Sequence, residues 1–378
     1  MGQTLSAPIT EKHSSSGHDE RHAYGASSMQ GWRITMEDAH TTLLELEDAK
    51  ETAFFAVYDG HGGKFMMIEL SKKDDLWMSH SRVCPNVAKY CGEGLQKRII
   101  ADKAFAKGKY KTAIKNGFLE MDRALRYDPE YGEDTSGCTA ITATITDENV
   151  LYVGNAGDSR AVLCNDGTAV VMSHDHKPVN REESRRIVAA GGFVESGRVN
   201  GSLALSRALG DFEFKMNATL GPEDQIVTAN PTVKKQKLSS DDEFLVLACD
   251  GIWDCMSSQE VITFVRTGIA DRIPLERICE MAMDRCLASD SEMSYIGCDN
   301  MTIVIVGILN GLTVEEWYDV VGSRVSTRLG PADASVFRPN GDEDPEVLTE
   351  DPTAISQDAL VPQHVEEDLS TNPAIPSA

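Results

Sequence analysis

Two apolar runs of the chain each end abruptly in an Asp-Gly pair. Ala53–Tyr58 is apolar or aromatic throughout and leads into the residues DGHGG at 59–63, and a second run from Phe244 leads into Asp250-Gly251. Short apolar runs bounded by turn residues are typical of buried strands. Asp-Gly is also a favoured turn pair, so either site alone is consistent with an ordinary β-turn. Together the two runs predict core strands that carry carboxylates at their ends.

Other segments predict further strands and several amphipathic helices. Strands rich in β-branched residues and joined by tight turns, which favours antiparallel pairing, are expected over 138–146, 150–164 and 168–173. Apolar residues at helical spacing predict helices over 87–100, 110–126, 180–190, 257–267 and 274–288. Asn180 with Glu183, and Ser257 with Glu260, have the spacing of capping boxes at helix starts. The pattern as a whole predicts an α+β domain with a sheet-on-sheet core.

Composition and charge narrow the class of protein. The 378 residues carry a net charge of −24 and are 41% hydrophobic, which is typical of a soluble globular chain and argues against nucleic-acid partners. Phosphorylated substrates stay compatible with this charge, because bound metal can invert the local field. The nine cysteines include no Cys-x-x-Cys pair, and no signal peptide is visible, so reduced thiols and a cytoplasmic or nuclear location are expected.

The two ends of the chain differ from its middle. Residues 1–20 are polar and are predicted to be flexible, and the start MGQTLS matches the myristoylation pattern with Gly2 as acceptor. A single acyl chain supports at most a weak, reversible membrane association. A short helical extension is expected over 312–330. Residues 331–378 contain eleven acidic residues against one basic residue and are predicted to be a disordered tail.

Acidic residues recur where the predicted elements end. The set is Glu37, Asp38, Asp59, Asp134, Asp250, Asp254 and Asp299. Carboxylates at the mouths of buried strands repel one another unless a cation lies between them, and oxygen-only ligation suits Mg²⁺ or Mn²⁺. Two such ions could activate a water for in-line attack on phosphorus. Arg33 offers a planar donor fork for phosphate, and His61 could protonate a leaving oxygen.

The order of the motifs resembles a known family. AFFAVYDGHGG, SGCTA, NAGDSRA, DHKP, RVNGSLALSRALGD, LACDGIWD and GCDNMT, spread over about Tyr24 to Leu309, are similar to the ordered motifs of the type 2C metal-dependent serine/threonine protein phosphatases. The resemblance implies a β-sandwich of two antiparallel sheets flanked by helices, in α-β-β-α layers, with a metal centre in a cleft at one end. It assigns the phosphatase domain to residues 21–311.

The resemblance also implies roles for the acidic set. Asp59 would bridge two Mg²⁺ or Mn²⁺ ions, Glu37 and the Gly60 carbonyl would bind one of them, and Asp250 and Asp299 would bind the other. Asp134 and Asp254 match positions for a weaker third ion, with Asp250 shared.

Three further residues match positions around the metals, and one segment matches a substrate-recognition region. Arg33 matches the phosphate-binding arginine, His61 the proposed general acid, and Asp38 a residue that contacts metal-bound water. The loop before residues 202–211 corresponds to a flap that influences substrate choice. The implied partners are phosphorylated proteins, and a monomer is expected.

One departure from the family pattern leaves an alternative open. About 22 residues, Phe65 to Asn86, separate the DGHGG turn from the following helix. They are either a tolerated surface loop or a translated intron that weakens the site. The leading hypothesis is therefore a protein phosphatase acting on phosphoserine and phosphothreonine. The alternatives are a catalytically impaired phosphoprotein-binding regulator on the same fold, and a hydrolase of small phosphate esters.

Overall fold

Two antiparallel sheets form the centre of the protein in a computed structural model that describes residues 4–62, 86–132, 135–291 and 296–327. The described residues belong to one unit that ends at Phe337, and Arg338–Ala378 is assigned to a second unit. The predictions for Gly2, for Asp134, for the acidic tail and for nearly all of the 65–86 insert lie outside the described residues.

The first sheet has six strands. In spatial order they are β1 (Thr4–His18), β2 (His22–Arg33), β16 (Met301–Ile308), β15 (Asp242–Ala248), β9 (Arg160–Asn165) and β10 (Thr168–Val171). Its pairings are all antiparallel, and the β9–β10 hairpin turns at Asp166 and Gly167, whose φ angles are 45° and 78°. This Asp-Gly pair is therefore the tight hairpin turn that the sequence predicts.

The second sheet has five strands and lies against the first. In spatial order they are β14 (Thr232–Lys237), β8 (Val150–Ala156), β7 (Ala140–Ile145), β4 (Ala53–Tyr58) and β3 (Ala39–Leu43). Three short strands form a small sheet beside it: β13 (Leu209–Gly210), β6 (Gly137–Cys138) and β5 (Gly60–His61). A separate hairpin pairs β11 (Val194–Glu195) with β12 (Arg198–Val199).

Helices cover the outer face of each sheet. α1 (Val87–Ala101) and α2 (Tyr110–Tyr127) pack on the second sheet. The first sheet is covered by α4 (Asp250–Trp253), α5 (Ser258–Ala270), α6 (Leu275–Cys286) and α7 (Val314–Ser326), the last of which falls within the predicted extension. α3 (Arg181–Ala189) belongs to a smaller cluster with β12. In the described ranges, none of the helices is both long enough and apolar enough to cross a bilayer.

β4 shows why the core strands read as continuous apolar runs. Phe54 and Tyr58 face the cluster under α1 and α2, whereas Phe55 and Val57 face the cluster between the sheets. Because successive side chains of a strand point to opposite faces, a strand covered on both sides is apolar at every position. The α-β-β-α layers of the predicted fold class are thus confirmed.

The N-terminal segment is a strand, so its prediction as a flexible segment is wrong for Thr4–His18. β1 pairs along β2, and its side chains reach α6: Lys12 Nζ lies 2.6 Å from Asp284 Oδ1, and Ser14 Oγ donates to Glu280 Oε1 at 2.6 Å. β1 is the edge strand of its sheet and is mostly exposed. An edge strand needs no apolar face to be stable, and charged residues there discourage further pairing. For that reason its sequence resembles a polar tail.

One of the two predicted capping boxes is wrong. Ser257 and Glu260 form theirs at the start of α5. At α3 the side chain of Glu183 is buried and instead accepts from Arg186 Nη1, Ser206 Oγ and Arg207 Nη2, at 2.7, 2.6 and 2.5 Å. Burial beside two guanidinium groups keeps this carboxylate from turning back to the helix N-terminus.

The insert ends on an ordered residue. Asn86 is the N-cap of α1, and its Oδ1 accepts from Lys89 N at 2.9 Å. The last residue of the insert therefore supplies the N-cap of the helix that follows it.

Candidate metal centre

The two Asp-Gly pairs meet where the sheets face each other. Asp59 follows β4 of the second sheet, and Asp250 follows β15 of the first and opens α4. A Cβ at Gly60 would lie 2.4 Å from the carbonyl oxygen of Glu37. One at Gly251 would lie 2.2 Å from the carbonyl oxygen of Asn300. Close approach of the neighbouring backbone therefore requires these glycines, in addition to any preference for turns.

Asp59 belongs to two groups of potential metal ligands. Its carboxylate forms one group with Asp158 and Asp250 and another with Asp38 and Cys249, and within each group the ligand atoms lie within 4.8 Å of one another. A carboxylate shared between two such groups has the position of a bridging ligand. Asp158 was missed in the sequence, where its only signal was its place in the NAGDSRA motif.

These carboxylates are partly or fully buried, and too little positive charge lies near them to neutralise them. Burial raises the pKa of Asp59 well above its usual range, and the charges of Asp250 and Asp38 raise it further. The pKa of Asp250 is likewise raised by burial and then by Asp158 and Asp299. Repulsion of this kind is what a divalent cation between the carboxylates would remove.

Asp38 has an oxygen available for a further ligand. Thr302 Oγ1 donates to Asp38 Oδ2 at 2.7 Å, while Asp38 Oδ1 is buried with no hydrogen-bond partner among the described residues. Burial raises the pKa of Asp38 to about 7 despite the bond from Thr302. Burial raises the pKa of the Cys249 thiol well above its usual range, and the thiol is engaged within the protein: it donates to the carbonyl oxygen of Asn300 and accepts from Thr302 N. The donor set is therefore an oxygen set, which fits Mg²⁺ or Mn²⁺.

Asn300 holds two of the predicted ligands in place. Its Oδ1 accepts from Glu37 N at 2.9 Å, and its Nδ2 donates to the carbonyls of Gln30 and Thr35. Its own N–H donates to Asp299 Oδ1 at 2.8 Å. The side chain and backbone N–H of Asn300 thus fix the segment after β2, which contains Glu37, against the segment before β16, which contains Asp299.

The predicted phosphate-binding arginine lies at this centre. Arg33 Nη2 donates to Asp299 Oδ2 at 2.5 Å, and 40% of its side chain is exposed. Since one carboxylate oxygen engages one guanidinium nitrogen, further N–H groups are available for a phosphate oxygen.

His61 is held by a carboxylate that the sequence did not reveal. His61 Nε2 lies 2.7 Å from Oδ2 of the buried Asp211. Burial alone would lower the pKa of His61, but the charge and hydrogen bond of Asp211 outweigh it and raise the pKa. Asp211 has left-handed backbone angles, with φ at 50°, and only its place at the end of RALGD marked it in the sequence.

A buried ion pair fixes the segment that carries Asp211. Asp122 Oδ1, on α2, accepts from Gly210 N at 2.8 Å and from Lys215 Nζ at 2.6 Å. The Lys215 side chain is only 4% exposed. Residues on both sides of Asp211 are therefore anchored to the same helix.

Of the two residues predicted to bind a third ion, one lies within the described ranges and one lies outside them. Asp254 lies one helical turn after Asp250 and is exposed. Partial desolvation and the charge of Asp158 raise its pKa against the opposing charge of Lys177. Lys177 also forms an ion pair with Asp158. Asp134, predicted to share this site, lies outside the described ranges.

Comparison with known proteins places this arrangement in a family. The model of the family "Protein phosphatase 2C" matches residues 22–295. The chain belongs to the protein phosphatase 2C family. It is 54% identical over 335 residues to protein phosphatase 2C homolog 2 of Schizosaccharomyces pombe, covering 88% of this chain and 85% of the relative. A probable protein phosphatase 2C of Caenorhabditis elegans is 52% identical over 311 residues, covering 82% of this chain and 81% of the relative.

A solved structure of a phosphatase supports the same assignment. A crystal structure of a phosphatase from Toxoplasma gondii superposes with a TM-score of 0.61 and 26% identity, covering 79% of this chain and 96% of that one. Through its family the protein is a serine/threonine protein phosphatase. Metal dependence is a property of that family, and the acidic groups around Asp59 are where ions could bind.

Proposed function

We propose that this protein phosphatase hydrolyses phosphoserine and phosphothreonine esters in proteins at a binuclear Mg²⁺ or Mn²⁺ centre. The observation that carries the proposal is the position of Asp59, whose carboxylate belongs at once to two groups of candidate ligand atoms, one with Asp158 and Asp250 and one with Asp38 and Cys249. Glu37 and the Gly60 carbonyl would hold one ion with Asp59. Asp250 and Asp299 would hold the other. Asp158 and Asp254 are the described candidates for a weaker third ion.

The residues around the proposed ions contact the phosphate, the attacking water and the leaving oxygen. When bound, the ions polarise the phosphate and lower the pKa of the attacking water. Arg33 orients the phosphate through guanidinium N–H groups that Asp299 leaves available. Asp38 Oδ1, which has no hydrogen-bond partner among the described residues, accepts a hydrogen bond from the attacking water. Asp211 occupies Nε2 of His61, so Nδ1 is the nitrogen that passes a proton to the departing serine or threonine oxygen.

The test is hydrolysis of a phosphothreonine peptide by the purified full chain. We expect no turnover in EDTA, turnover with Mn²⁺ or Mg²⁺, and a loss of at least about 100-fold in Asp59→Asn. Asp147→Asn, the same substitution at an exposed turn residue, is the matched control and should keep full activity.

The outcome separates the alternatives. Absence of turnover despite measurable Mn²⁺ and phosphopeptide binding would replace the proposal with the impaired regulator. Restoration of turnover by deleting residues 65–86 would then place the defect in the insert. Faster hydrolysis of a small ester such as p-nitrophenyl phosphate than of every phosphopeptide would contradict protein substrates.

A further inference from the structure

A cavity lies beside the proposed proton donor. It has a volume of about 300 Å³, and its walls include His61, Asp211, Ser202, Leu203, Glu213 and Phe214. His61 follows Gly60 directly, so the cavity begins next to the proposed metal ligands. A substrate whose phosphate lies at the metal centre would place a neighbouring side chain here.

Part of the cavity wall is apolar and well supported. Phe214 is 7% exposed and packs in a small cluster with Ile187, Val199 and Val227, against which Leu203 also packs. A wall backed by such a cluster keeps its shape and offers an apolar surface to an incoming side chain.

The other part of the wall is negatively charged. The charge of Asp211 is matched by His61. Glu213 is exposed, and its carboxylate has no cationic partner in the ranges that the structure describes. The cations of this region are engaged elsewhere: Lys215 bonds Asp122, and Arg126 donates to the carbonyl of Lys215. Glu213 is therefore an unmatched negative charge at the rim.

We propose that this cavity is a subsite for a lysine or arginine side chain that flanks the phosphorylated residue of the substrate. The inference rests on the proposed phosphoprotein substrate. A long cationic side chain has an apolar stem and a charged head. The stem would lie on Leu203 and Phe214, and the head would pair with Glu213. An acidic neighbour would meet the negative charge of Glu213 and is disfavoured.

The experiment measures the preference of the enzyme for Arg, Gln or Glu beside the phosphothreonine, in addition to the rate of hydrolysis. Phosphothreonine peptides carrying one Arg, Gln or Glu at each position from three before to three after the phosphothreonine are hydrolysed with saturating Mn²⁺. For the native protein we expect kcat/KM for Arg over Gln to be about three- to five-fold at the preferred position, the range of one partly exposed ion pair. Glu213→Gln should bring this ratio to about one, and Glu213→Lys should invert the order of the Arg and Glu peptides.

A matched control separates a local contact from general electrostatics. Glu223→Gln removes the same charge at another exposed position, outside the cavity, and should keep the native ratio. Equal ratios in the native protein and Glu213→Gln, or an equal loss in Glu223→Gln, would overturn the subsite. If the Gln peptides are hydrolysed without any Arg preference, the subsite fails and the proposed function stands. If no peptide is hydrolysed, both fail.

Discussion

Asp59 is held in surroundings that disfavour its charge. Its nearest charged neighbours are carboxylates, and burial raises its pKa well above the usual range. Such a site is unfavourable to the folded chain without metal, and it persists because binding depends on it. The same group that enables function thus lowers the stability of the metal-free protein.

Because the Asp59 carboxylate destabilises the metal-free protein, a substitution that removes its charge should abolish activity and yet stabilise the metal-free fold. In EDTA at pH 8 we expect Asp59→Asn to be more stable than the native protein by about 1 kcal/mol, a rise in Tm of about 2–4 °C. The measurement is thermal unfolding followed by circular dichroism, with Asp147→Asn as control. A lower Tm for Asp59→Asn would show that its carboxylate is stabilised by contacts other than a metal.

Another buried group, His176, links stability to pH away from the metals. Gly157 N donates to its Nδ1 at 3.2 Å, and its Nε2 bonds Thr232 Oγ1 at 2.9 Å, an arrangement that suits neutral imidazole. Burial, with help from Arg207, lowers its pKa to about 3.

The lowered pKa predicts acid sensitivity. Below about pH 6.5 His176 is protonated in the unfolded chain but stays neutral in the folded protein. The free energy of unfolding therefore falls as the pH drops from 6.5 toward 3. This residue should lower the free energy of unfolding by about 2 kcal/mol between pH 7 and pH 5. Urea unfolding of His176→Gln should show a weaker pH dependence by that amount, whereas exposed His13→Gln should behave as the native protein.

The residues that the sequence did and did not reveal differ in their surroundings. Asp59, Asp250 and Asp299 adjoin apolar runs, so a carboxylate at the mouth of a buried strand was predictable from pattern alone. Asp158 and Asp211 each follow a glycine in a short turn, where an aspartate is common whatever its function. Only the folded chain brings these two beside Asp59 and His61.

At the scale of elements, the segment 210–215 depends on its attachment to α2. Asp122 accepts from both Gly210 and Lys215, and the ion pair is buried. Removing one partner of a buried ion pair leaves an unmatched charge, which usually destabilises by about 3–5 kcal/mol.

We therefore expect Lys215→Met to have two effects. The free energy of unfolding should fall by about 3 kcal/mol. At temperatures where the variant is folded, kcat should fall because Asp211 no longer holds His61 in place, with KM little changed. Lys115→Met, on the exposed face of α2, is the control for both measurements. A native kcat in folded Lys215→Met would mean that the segment is positioned without this ion pair.

Strands with packed residues on both faces could be predicted from the sequence, whereas the exposed edge strand could not. β4 throughout, and β15 from Phe244 onward, are apolar because the other sheet and the helices cover them. β1 has solvent on most of its surface, so its polar sequence carries little trace of strand structure. In the sequence, Glu183 could either complete a capping box with Asn180 or form an ion pair with Arg186 one helical turn later. In the folded chain the Glu183 side chain is buried and forms the ion pair.

On the scale of the whole molecule, the candidate ligands come from both sheets. Asp59 ends a strand of the five-stranded sheet, whereas Asp250 and Asp299 adjoin strands of the six-stranded sheet. An ion bound between them would connect the two halves of the sandwich. Metal binding is thus expected to stabilise the complete fold.

Titration with Mn²⁺ should raise the Tm of the protein if an ion binds between the two sheets. At a free concentration 100 times the dissociation constant, a ligand that binds only the folded state adds about 2.7 kcal/mol, which for a domain of this size raises Tm by about 5 °C or more. Asp59→Asn should lose most of this increase. An unchanged Tm for the native protein over the range of Mn²⁺ that activates it would contradict a site spanning both sheets.

The first strand also determines which way the protein faces when it is held by its N-terminus. Thr4 is paired with Arg33 across β1 and β2, and Gly2 precedes Thr4 by two residues, at most about 7 Å of chain. If Gly2 is acylated as its sequence predicts, the lipid would be tethered at the rim of the cleft rather than on the far side of the sandwich. A bilayer-attached molecule would then keep its cleft close to the lipid headgroups, within reach of phosphates on juxtamembrane segments.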